Sequence, residues 1–418
     1  MSNLPKGWEL VQFDKVCDIR DGTHDSPKYI ENGVPFITSK HLTDNGIDFT
    51  ETNYISEENH IEFSKRSKVD NGDILFGMIG TIGKPVIVNT DFEFSIKNVA
   101  LLKLSSNELL SNIYVLNLLK SNIIINQFLK LSNGGVQSFI ALGMIRKLKI
   151  PLPPIEEQKK IADILSTVDK KIAFVEENIN ATEELKKGLM QKLLTEGIGH
   201  TEFKDSELGR IPESWEVIPF IELADKNIKH SFTGGPFGSD LKSEHYTDIG
   251  VRVIQLQNIG DGYFINNDFV YVSEEKAELL KSCQIYPNDI ILAKMAEPVA
   301  RACLIPDFES KYVMCSDGIR LKVDNSKFNT EFIFYSINYD NFRKIAVARS
   351  NGTTRLRIGL SALKSIPILI PPLEEQKQIA EILSTVDKKL ENLKEKKQSF
   401  EELKKGLMQK LLTGEVRV

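Results

Sequence analysis

The sequence has 418 residues, of which 41% are hydrophobic and 27% charged, and this predicts a globular protein with two or more domains. No apolar run approaches the roughly 20 residues that span a bilayer, and the N-terminus lacks a signal-peptide pattern, so we expect no membrane association and a cytoplasmic location. The net charge of -5 argues weakly against a nucleic-acid partner, because an acidic chain can still carry basic surfaces. The scattered cysteines and histidines predict no metal site.

The first predicted domain, residues 1–153, is rich in short β-branched runs such as Val34–Thr38 and Val86–Val88, which are typical of strands. An apolar stretch from Ile113 to Leu131 predicts a helix. The segment Phe76–Pro85 contains glycines and a lysine like a phosphate-binding loop, but Pro85 stands where that motif needs Ser or Thr. We therefore expect a turn between strands there.

Residues 154–197 predict a long helix that forms a central helical spacer. Glutamates fill its first turn, and Gly197 follows its last apolar residue. Apolar residues recur at steps of four and three, which favours a two-helix coiled coil, while an amphipathic helix lying on a globular core stays an alternative. The predicted seam consists of Ile161, Leu165, Val168, Ile172 and Val175.

The second predicted domain, residues 198–371, is loosely related to the first. Pro212–Glu216 repeats the pattern of Pro5–Glu9, Val251–Ile254 predicts a strand, and Phe332–Val347 predicts a helix. The segment Pro306–Lys311 has the residue types of a metal-dependent nuclease, but its two carboxylates would point to opposite sides of any strand. A solvated loop is the expectation.

Residues 372–418 predict a second long helix that repeats the first. Pro153–Lys171 returns as Pro371–Lys389, shifted by 218 residues (372 minus 154), and the shift is unchanged at the far end of the helix. Because the helices are nearly identical while the domains differ, we expect the helices to serve shared assembly and the domains to bind distinct ligands. The second seam consists of Ile379, Leu383, Val386, Leu390 and Leu393.

The signature Pro-Pro-(Ile/Leu)-Glu-Glu-Gln-(x)2-Ile-Ala-x-Ile-Leu occurs twice, at 153–165 and 371–383. Together with the stretches Asp21–Pro27 and Gly234–Lys242, it resembles the specificity subunit of type I restriction-modification enzymes over essentially the whole chain. The resemblance implies an α+β protein. In it, two β-rich target-recognition domains are each followed by a long helix, and the two helices pack as an antiparallel coiled coil.

The resemblance also implies a function without catalysis in this chain. Each domain would read one half of a split target in double-stranded DNA, and the chain would hold two methyltransferase subunits and join motor-nuclease restriction subunits. S-adenosylmethionine, ATP and magnesium would then belong to those partners, and the chain itself would need no cofactor. A stand-alone restriction or methylation enzyme is one alternative, disfavoured by the missing motifs. A protein-only coiled-coil scaffold is another, disfavoured by the two unlike domains.

Base reading requires donors and acceptors on loops, with Lys and Arg on phosphates. The segment Arg349–Arg357 is the most basic in the chain, and its alternating Arg355 and Arg357 would share one strand face. Solvated polar loops stay the alternative for each candidate. In the first domain the candidates are His24, Lys28, Lys40, His41, Asn45, Lys84, Gln137 and Ser138. In the second they are Lys242, Gln255, Gln257, Asn258, Lys294, Arg301, Arg349, Thr353, Arg355 and Arg357.

Overall fold

The computed structural model describes residues 4–78, 83–131, 139–295, 297–352 and 355–418. The chain divides into two compact units, the first formed by Met1–Glu177 with Lys394–Val418 and the second by Asn178–Leu393. Each unit therefore combines one predicted domain with a part of each long helix. Among the described residues, no helix has the length and apolar composition needed to cross a membrane.

The first unit is built from short strands and four short helices, together with parts of the long helices. Its strands are β1 (Glu9–Gln12), β2 (Asp18–Asp21), β3 (Val34–Ile37), β4 (Leu42–Thr43), β5 (Gly46–Ile47), β6 (Asn53–Ile55), β7 (Ile74–Gly77), β8 (Pro85–Ile87), β9 (Ser95–Ile96), β10 (Val99–Lys103) and β11 (Lys149–Leu152). Its helices are α1 (Glu57–Ser67), α2 (Asn112–Leu119), α3 (Asn122–Leu131), α4 (Leu142–Arg146) and the beginning of α5 (Ile155–Leu193).

Two sheets and two strand pairs, β1-β11 and β4-β5, organise the described part of the first unit. Strands β2, β10, β7 and β8 form an antiparallel sheet in that order, and β6, β3 and β9 form a second sheet in which β3 and β9 are parallel. Strand β1 pairs with β11, which brings the start and the end of the domain together. The pairing of β7 with β8 agrees with the expected turn between strands, although residues 79–82 lie outside the described part of the chain.

The second unit repeats this arrangement. Its strands are β12 (Phe203–Ser206), β13 (Gly209–Pro212), β14 (Glu216–Pro219), β15 (Phe232–Gly234), β16 (Tyr246–Thr247), β17 (Val251–Ile254), β18 (Val270–Val272), β19 (Gln284–Ile285), β20 (Ile290–Ala293), β21 (Ala302–Leu304), β22 (Tyr312–Met314), β23 (Gly318–Leu321) and β24 (Pro367–Ile370). Its helices are α6 (Glu274–Leu279), α7 (Thr330–Asn338), α8 (Asp340–Ala348), α9 (Leu360–Lys364) and the beginning of α10 (Leu373–Thr413).

The sheet order β15-β23-β20-β21 in the second unit matches β2-β10-β7-β8 in the first, and β14-β24 matches β1-β11. The second sheet of this unit has five strands in the order β16-β18-β17-β22-β19 and keeps one parallel pair, β17 with β22. The two units thus share a strand framework although their sequences have diverged outside the long helices.

The stretches Ile113–Leu131 and Phe332–Val347, each predicted as one helix, are broken. In the first, the chain turns at Ser121, whose hydroxyl donates to the Leu118 carbonyl at 2.6 Å. In the second, Tyr339 adopts an extended conformation. The side-chain amide of Asn338 accepts from the Ala302 amide and donates to the Ala302 carbonyl, both at 3.1 Å. Tertiary hydrogen bonds of this kind have no signature in apolar periodicity.

Each unit packs the beginning of one long helix against the end of the other. In the first unit, Asp169 of α5 pairs with Lys404 of α10 at 2.5 Å, and Glu176 of α5 pairs with Lys397 of α10 at 3.0 Å. Because the later residue of α5 meets the earlier residue of α10, these two helix segments run in opposite directions. In the second unit Lys186 pairs with Asp387 at 2.6 Å. The two lysine–aspartate pairs are equivalent under the shift of 218 residues.

Most of the predicted seam is buried within its own unit. Buried seam residues are Ile161, Leu165, Val168, Val175, Ile379, Leu383, Val386 and Leu390, whereas Ile172 and Leu393 are half-buried. Thr182 and Lys397 interrupt the heptad pattern, and each finds a polar partner. The Thr182 hydroxyl donates to the Asn178 carbonyl of its own helix, and Lys397 makes the ion pair with Glu176.

A glutamate near the start of each long helix ties that helix to a tryptophan of its unit. In the second unit the Glu375 carboxylate accepts hydrogen bonds from the Trp215 indole and the Ile198 amide, at 3.0 and 2.9 Å, and lies 2.8 Å from His200 Nε2. In the first unit Glu157 accepts from the Trp8 indole at 3.1 Å. Here the C-terminal Arg417 replaces the histidine, and its guanidinium donates to both carboxylate oxygens.

Candidate nucleic-acid interface

A cleft of about 1290 Å³ opens on the second unit where four loops meet. They are the loop Gly234–Asp240 after β15, the residues Lys294 and Met295 after β20, the turn at Ser316 between β22 and β23, and the hairpin that includes Asn351 and Arg357. We call this the basic cleft, because Lys276, Lys294, Arg355 and Arg357 are among its lining residues.

Backbone hydrogen bonds fix these loops against one another. The Lys294 amide donates to the Asp317 carbonyl at 2.7 Å, and the Ile358 amide donates to the Lys294 carbonyl at 2.9 Å. The Gly235 amide donates to the Gly318 carbonyl at 2.8 Å, and a Cβ on Gly235 would lie 1.7 Å from the Cys315 carbonyl oxygen, so only glycine permits this contact. Because the backbone secures the loops, their side chains are free to meet a ligand.

The hairpin carrying the two arginines is closed by reciprocal bonds between the backbones of Asn351 and Arg357, both 2.9 Å. Gly352 has a φ of +112°, and a Cβ there would lie 2.4 Å from the Arg355 carbonyl oxygen. The turn therefore requires glycine for a conformational reason. Thr353 lies outside the described residues, so the structure does not place this candidate.

The structure brings only some of the predicted basic residues together. Arg355 and Arg357 are exposed and line the cleft with half-buried Lys294. The Arg357 guanidinium pairs with Asp317 at 3.0 Å, which orients it, whereas Arg355 has no ion-pair partner among the described residues. Arg349 bonds the Ser365 hydroxyl at 2.9 Å and is not among the residues that line the cleft.

Other candidates of the second unit lie on neighbouring loops. Lys242 is exposed, 3.5 Å from Glu244, and Gln257 is exposed with its amide donating to half-buried Gln255 at 3.0 Å. The half-buried Arg301 donates to the carbonyls of Glu297 and Leu256, at 3.3 and 3.2 Å, so its guanidinium is committed to loop structure. None of Lys242, Gln255, Gln257 and Arg301 is among the residues that line the basic cleft.

Two candidates, His41 and Asn258, are corrected by the structure. His41 is 4% exposed, and its ring accepts from the Thr38 amide and lies 3.3 Å from the Glu51 carbonyl. Asn258 is 1% exposed, accepts from the Gln255 amide and donates to two backbone carbonyls. Their polar atoms are used inside the fold, so they hold turns in place and do not offer groups to a base edge.

The first unit repeats the loop framework of the basic cleft. The Gly22 amide donates to the Val99 carbonyl at 2.9 Å, which corresponds to the bond from Gly235 to Gly318 in the second unit. The Ile140 amide donates to the Met78 carbonyl at 2.8 Å, which corresponds to the bond from Ile358 to Lys294. At the matching positions the side chains differ, because Met78 stands where the second unit has Lys294. Asn98 and Phe139 correspond in the same way to Asp317 and Arg357.

Most described candidates of the first unit are exposed. The His24 ring lies 2.7 Å from the Asn98 side chain and 3.0 Å from Asp21, so two neighbours hold it. Lys28, Lys40 and Asn45 are exposed, and half-buried Lys84 lies 3.5 Å from Asp44. Gln137 and Ser138 lie outside the described residues.

Sequence reasoning missed Phe237, Lys276, Asp317, Asn98 and Phe139. The shift of 218 residues pairs Phe139 with Arg357, so that signal was available in the sequence. Lys276 and Asp317 had no such signal, because only the folded chain brings them to the cleft.

No feature of the described residues points to catalysis or to a bound metal. No group of three or more His, Cys, Asp or Glu side chains among them is arranged to hold a metal ion. Burial raises the pKa of the Cys17 and Cys303 thiols to about 12, which keeps them protonated and poorly nucleophilic. Asp307 and Glu309 lie in an exposed turn between β21 and β22, as the sequence analysis expects.

The model of the type I restriction modification DNA specificity domain matches residues 5–184 and 240–402. A Methanocaldococcus jannaschii protein, assigned as the specificity subunit of the type I restriction enzyme MjaX, is 31% identical over 428 residues, covering 100% of this chain and 96% of the relative. The chain belongs to the type I restriction-modification DNA specificity family. The resemblance carried by the repeated helix signature is thereby confirmed.

Further relatives agree with this placement. The specificity subunit of the MjaVIII enzyme of the same organism is 28% identical and covers 99% of this chain and 94% of the relative. Both relatives are assigned as specificity subunits of type I restriction enzymes, the role that the sequence analysis expects for this chain.

Two solved structures share the mixed helix and strand fold of this specificity subunit. A chain from a study of complex assembly and conformational transition in a type I system has a TM-score of 0.62 at 17% identity and covers 100% of both chains. The S subunit of a type I system from M. genitalium has a TM-score of 0.59 at 16% identity, covering 99% of this chain and 97% of the other.

Proposed function

We propose that this chain is the sequence-reading subunit of a type I restriction-modification complex and that each unit reads one half of a bipartite target in double-stranded DNA. The observation that carries the proposal is the duplicated loop framework with unlike side chains. Lys294 and Arg357 in the second unit correspond to Met78 and Phe139 in the first. A shared framework that carries different side chains suits two modules that read different base sequences.

The basic cleft has the chemistry that recognition of duplex DNA requires. Lys276 and Lys294 provide positive charge for phosphate oxygens, and release of counterions from the phosphates favours such contacts. The guanidinium groups of Arg355 and Arg357 have the planar fork that pairs with the O6 and N7 atoms of guanine. The proposal therefore assigns phosphate anchoring to the lysines and base contact to the hairpin.

The duplicated helices support a proposal about assembly. We propose that α5 and α10 form an antiparallel coiled coil and that two methyltransferase subunits bind to it and to the adjacent domain surfaces. Support comes from the equivalent ion pairs Lys186–Asp387 and Lys404–Asp169, because a repeated surface suits two copies of one partner. In this proposal S-adenosylmethionine, ATP and magnesium act on the methyltransferase and motor-nuclease subunits, and the complex works in the cytoplasm.

The proposal is tested by sequencing methylated adenines in the genome of the source cell, with and without this gene. The expected result is one motif, made of two short specified sequences separated by unspecified bases, whose methylation disappears with the gene. Retention of every methylated motif would show that this chain does not direct methylation. A continuous motif would contradict the assignment of one half-site to each unit.

A second experiment separates a recognition subunit from a stand-alone enzyme. The purified chain is incubated with duplex DNA and a labelled methyl donor, with and without the methyltransferase subunit. We expect transfer of label only when the methyltransferase subunit is present. Transfer by the chain alone would overturn the proposal of a non-catalytic subunit.

A further inference from the structure

Phe237 stands at the edge of the basic cleft with its side chain in solvent. It is 82% exposed, whereas the preceding Pro236 is buried. A single exposed apolar side chain is common on a protein surface and needs no explanation by itself. Phe237 is distinguished by its position, because it lines the basic cleft together with a second exposed apolar side chain, Leu279.

The loop around Phe237 fixes the backbone position from which the ring extends. Gly235 packs directly against the carbonyl of Cys315, and buried Pro236 fixes the next position. After the ring, the amides of Asp240 and Leu241 both donate to the Phe237 carbonyl, at 2.9 and 3.4 Å. The ring therefore extends from a closed turn whose first residues are anchored in the fold.

The surroundings of Phe237 combine apolar and cationic side chains. Leu279, at the end of α6, lines the same cleft and is 80% exposed, while Lys276 and Arg355 add positive charge. Proteins that bend or kink duplex DNA insert apolar side chains between base steps and neutralise the flanking phosphates with cations. An exposed phenyl ring beside lysine and arginine matches that chemistry.

The first unit has no equivalent apolar side chain at this position. Two residues after Gly22, the counterpart of Gly235, stands His24, whose ring is held by Asn98 and Asp21. A polar, tethered ring is suited to a hydrogen-bonding contact and not to insertion into a base stack. The two units therefore differ in what they offer at matching positions.

We propose that Phe237 is a wedge that enters the base stack of the half-site read by the second unit and locally unstacks it. The inference rests on the proposed function, since it requires that the basic cleft binds duplex DNA. It goes further by assigning a deformation of the DNA to one half-site only. Sequence preference at the unstacked step would then reflect how easily that step opens, in addition to direct base contacts.

The test uses the full chain assembled with its methyltransferase subunits and a duplex that carries the motif identified by adenine methylation. The adenine analogue 2-aminopurine, whose fluorescence rises when it is unstacked, replaces one adenine at a time in each half-site. The adenines that are methylated are left unchanged, because a methyltransferase flips its target base out of the stack by itself. We expect a rise on binding in one half-site only. Phe237→Ala should abolish this rise at saturating protein and weaken binding by about tenfold. Phe237→Trp should keep both the fluorescence rise and the wild-type affinity.

Ile249→Ala provides the matched control, because Ile249 is also 82% exposed in the second unit but is not among the residues that line the basic cleft. We expect the control to leave both fluorescence and affinity unchanged. An unaltered fluorescence rise with Phe237→Ala would overturn the wedge while leaving DNA recognition intact. Loss of subunit assembly with Phe237→Ala would also overturn it, by moving Phe237 to a protein interface. If the wild-type complex fails to bind the motif, the proposed function itself is wrong.

Discussion

Arg355 and Arg357 lie on one hairpin, but their guanidinium groups differ in freedom. Asp317 holds Arg357 at 3.0 Å, which fixes the direction of its planar fork before a ligand arrives. Arg355 is exposed without such a partner among the residues that the structure describes. A pre-oriented arginine loses less conformational freedom on binding, so we expect Arg357 to contribute more to discrimination between bases than Arg355.

Changing both arginines to Ala should weaken recognition of one half-site while the other is read as before. Each lost bidentate contact with a base is worth roughly 1–3 kcal/mol of discrimination. The measurement is competition binding of the assembled complex with duplexes altered in one half-site at a time. For the double variant, duplexes altered in the half-site read by the second unit should compete for binding almost as well as the unaltered duplex.

Arg210→Ala is a suitable comparison for the arginine variants, because Arg210 is exposed in the same unit and packs over Phe203, away from the cleft residues. It should leave both half-sites unaffected. If the double variant at Arg355 and Arg357 instead fails to assemble with the methyltransferase, these residues belong to a protein interface.

At the scale of elements, the glutamate at the start of each long helix connects that helix to its domain. Glu375→Ala removes an acceptor from the indole of fully buried Trp215 and from the Ile198 amide, and leaves the indole donor without a partner. We expect a loss of about 1–3 kcal/mol in the free energy of unfolding of the second unit, because one buried donor without a partner costs roughly that amount and the Ile198 amide is exposed to water. Denaturant unfolding followed by tryptophan fluorescence would measure it.

The neighbouring Glu374 is the control for this change. It is exposed, and its one ion pair among the residues that the structure describes is with Lys377, one helical turn away, at 2.6 Å. Glu374→Ala should therefore alter stability by no more than about 0.5 kcal/mol. Equal effects of the two variants would mean that the hydrogen bonds of Glu375 do not tie the helix to its domain.

In the first unit, hydrogen bonds from Arg417 hold the pKa of the Glu157 carboxyl below its usual value of 4.5, with a further contribution from Trp8. The unfolded chain then binds a proton more readily than the folded one, so the stabilisation is present above about pH 4.5 and is lost as pH falls through the lowered pKa. Arg417→Gln should reduce thermal stability near neutral pH. The difference from wild type should shrink as pH falls below about 4.5. Melting temperatures across that range test this, and a constant difference would contradict it.

For the whole molecule, charge opposes long-range attraction to DNA although one cleft is basic. The net charge is -5, so we expect the isolated chain to bind duplex DNA only weakly at physiological salt. A gel shift with and without the methyltransferase subunit should show strong, sequence-dependent retardation only for the assembly. Tight and specific binding by the chain alone would show that the cleft residues outweigh the net charge.

Local sequence signals were sufficient to predict the long helices and the duplication. Heptad spacing and the repeated proline–glutamate start predicted the two long helices, which run over Ile155–Leu193 and Leu373–Thr413. Duplication likewise predicted two related domains, because it requires only a comparison of the chain with itself. Gly22 and Gly235 lie within the two stretches that resemble the specificity family. Their close contacts with neighbouring backbone were not predicted from the sequence.

Which loops meet, and which polar residues remain available to a ligand, depends on how the chain folds. His41 and Asn258 read as surface candidates because their types suit base contacts, yet both are buried and bonded to backbone groups. Asp317 and Arg357 lie 40 residues apart and meet only through sheet pairing and the hairpin. Burial and long-range hydrogen bonding depend on residues distant in sequence, and no local pattern records them.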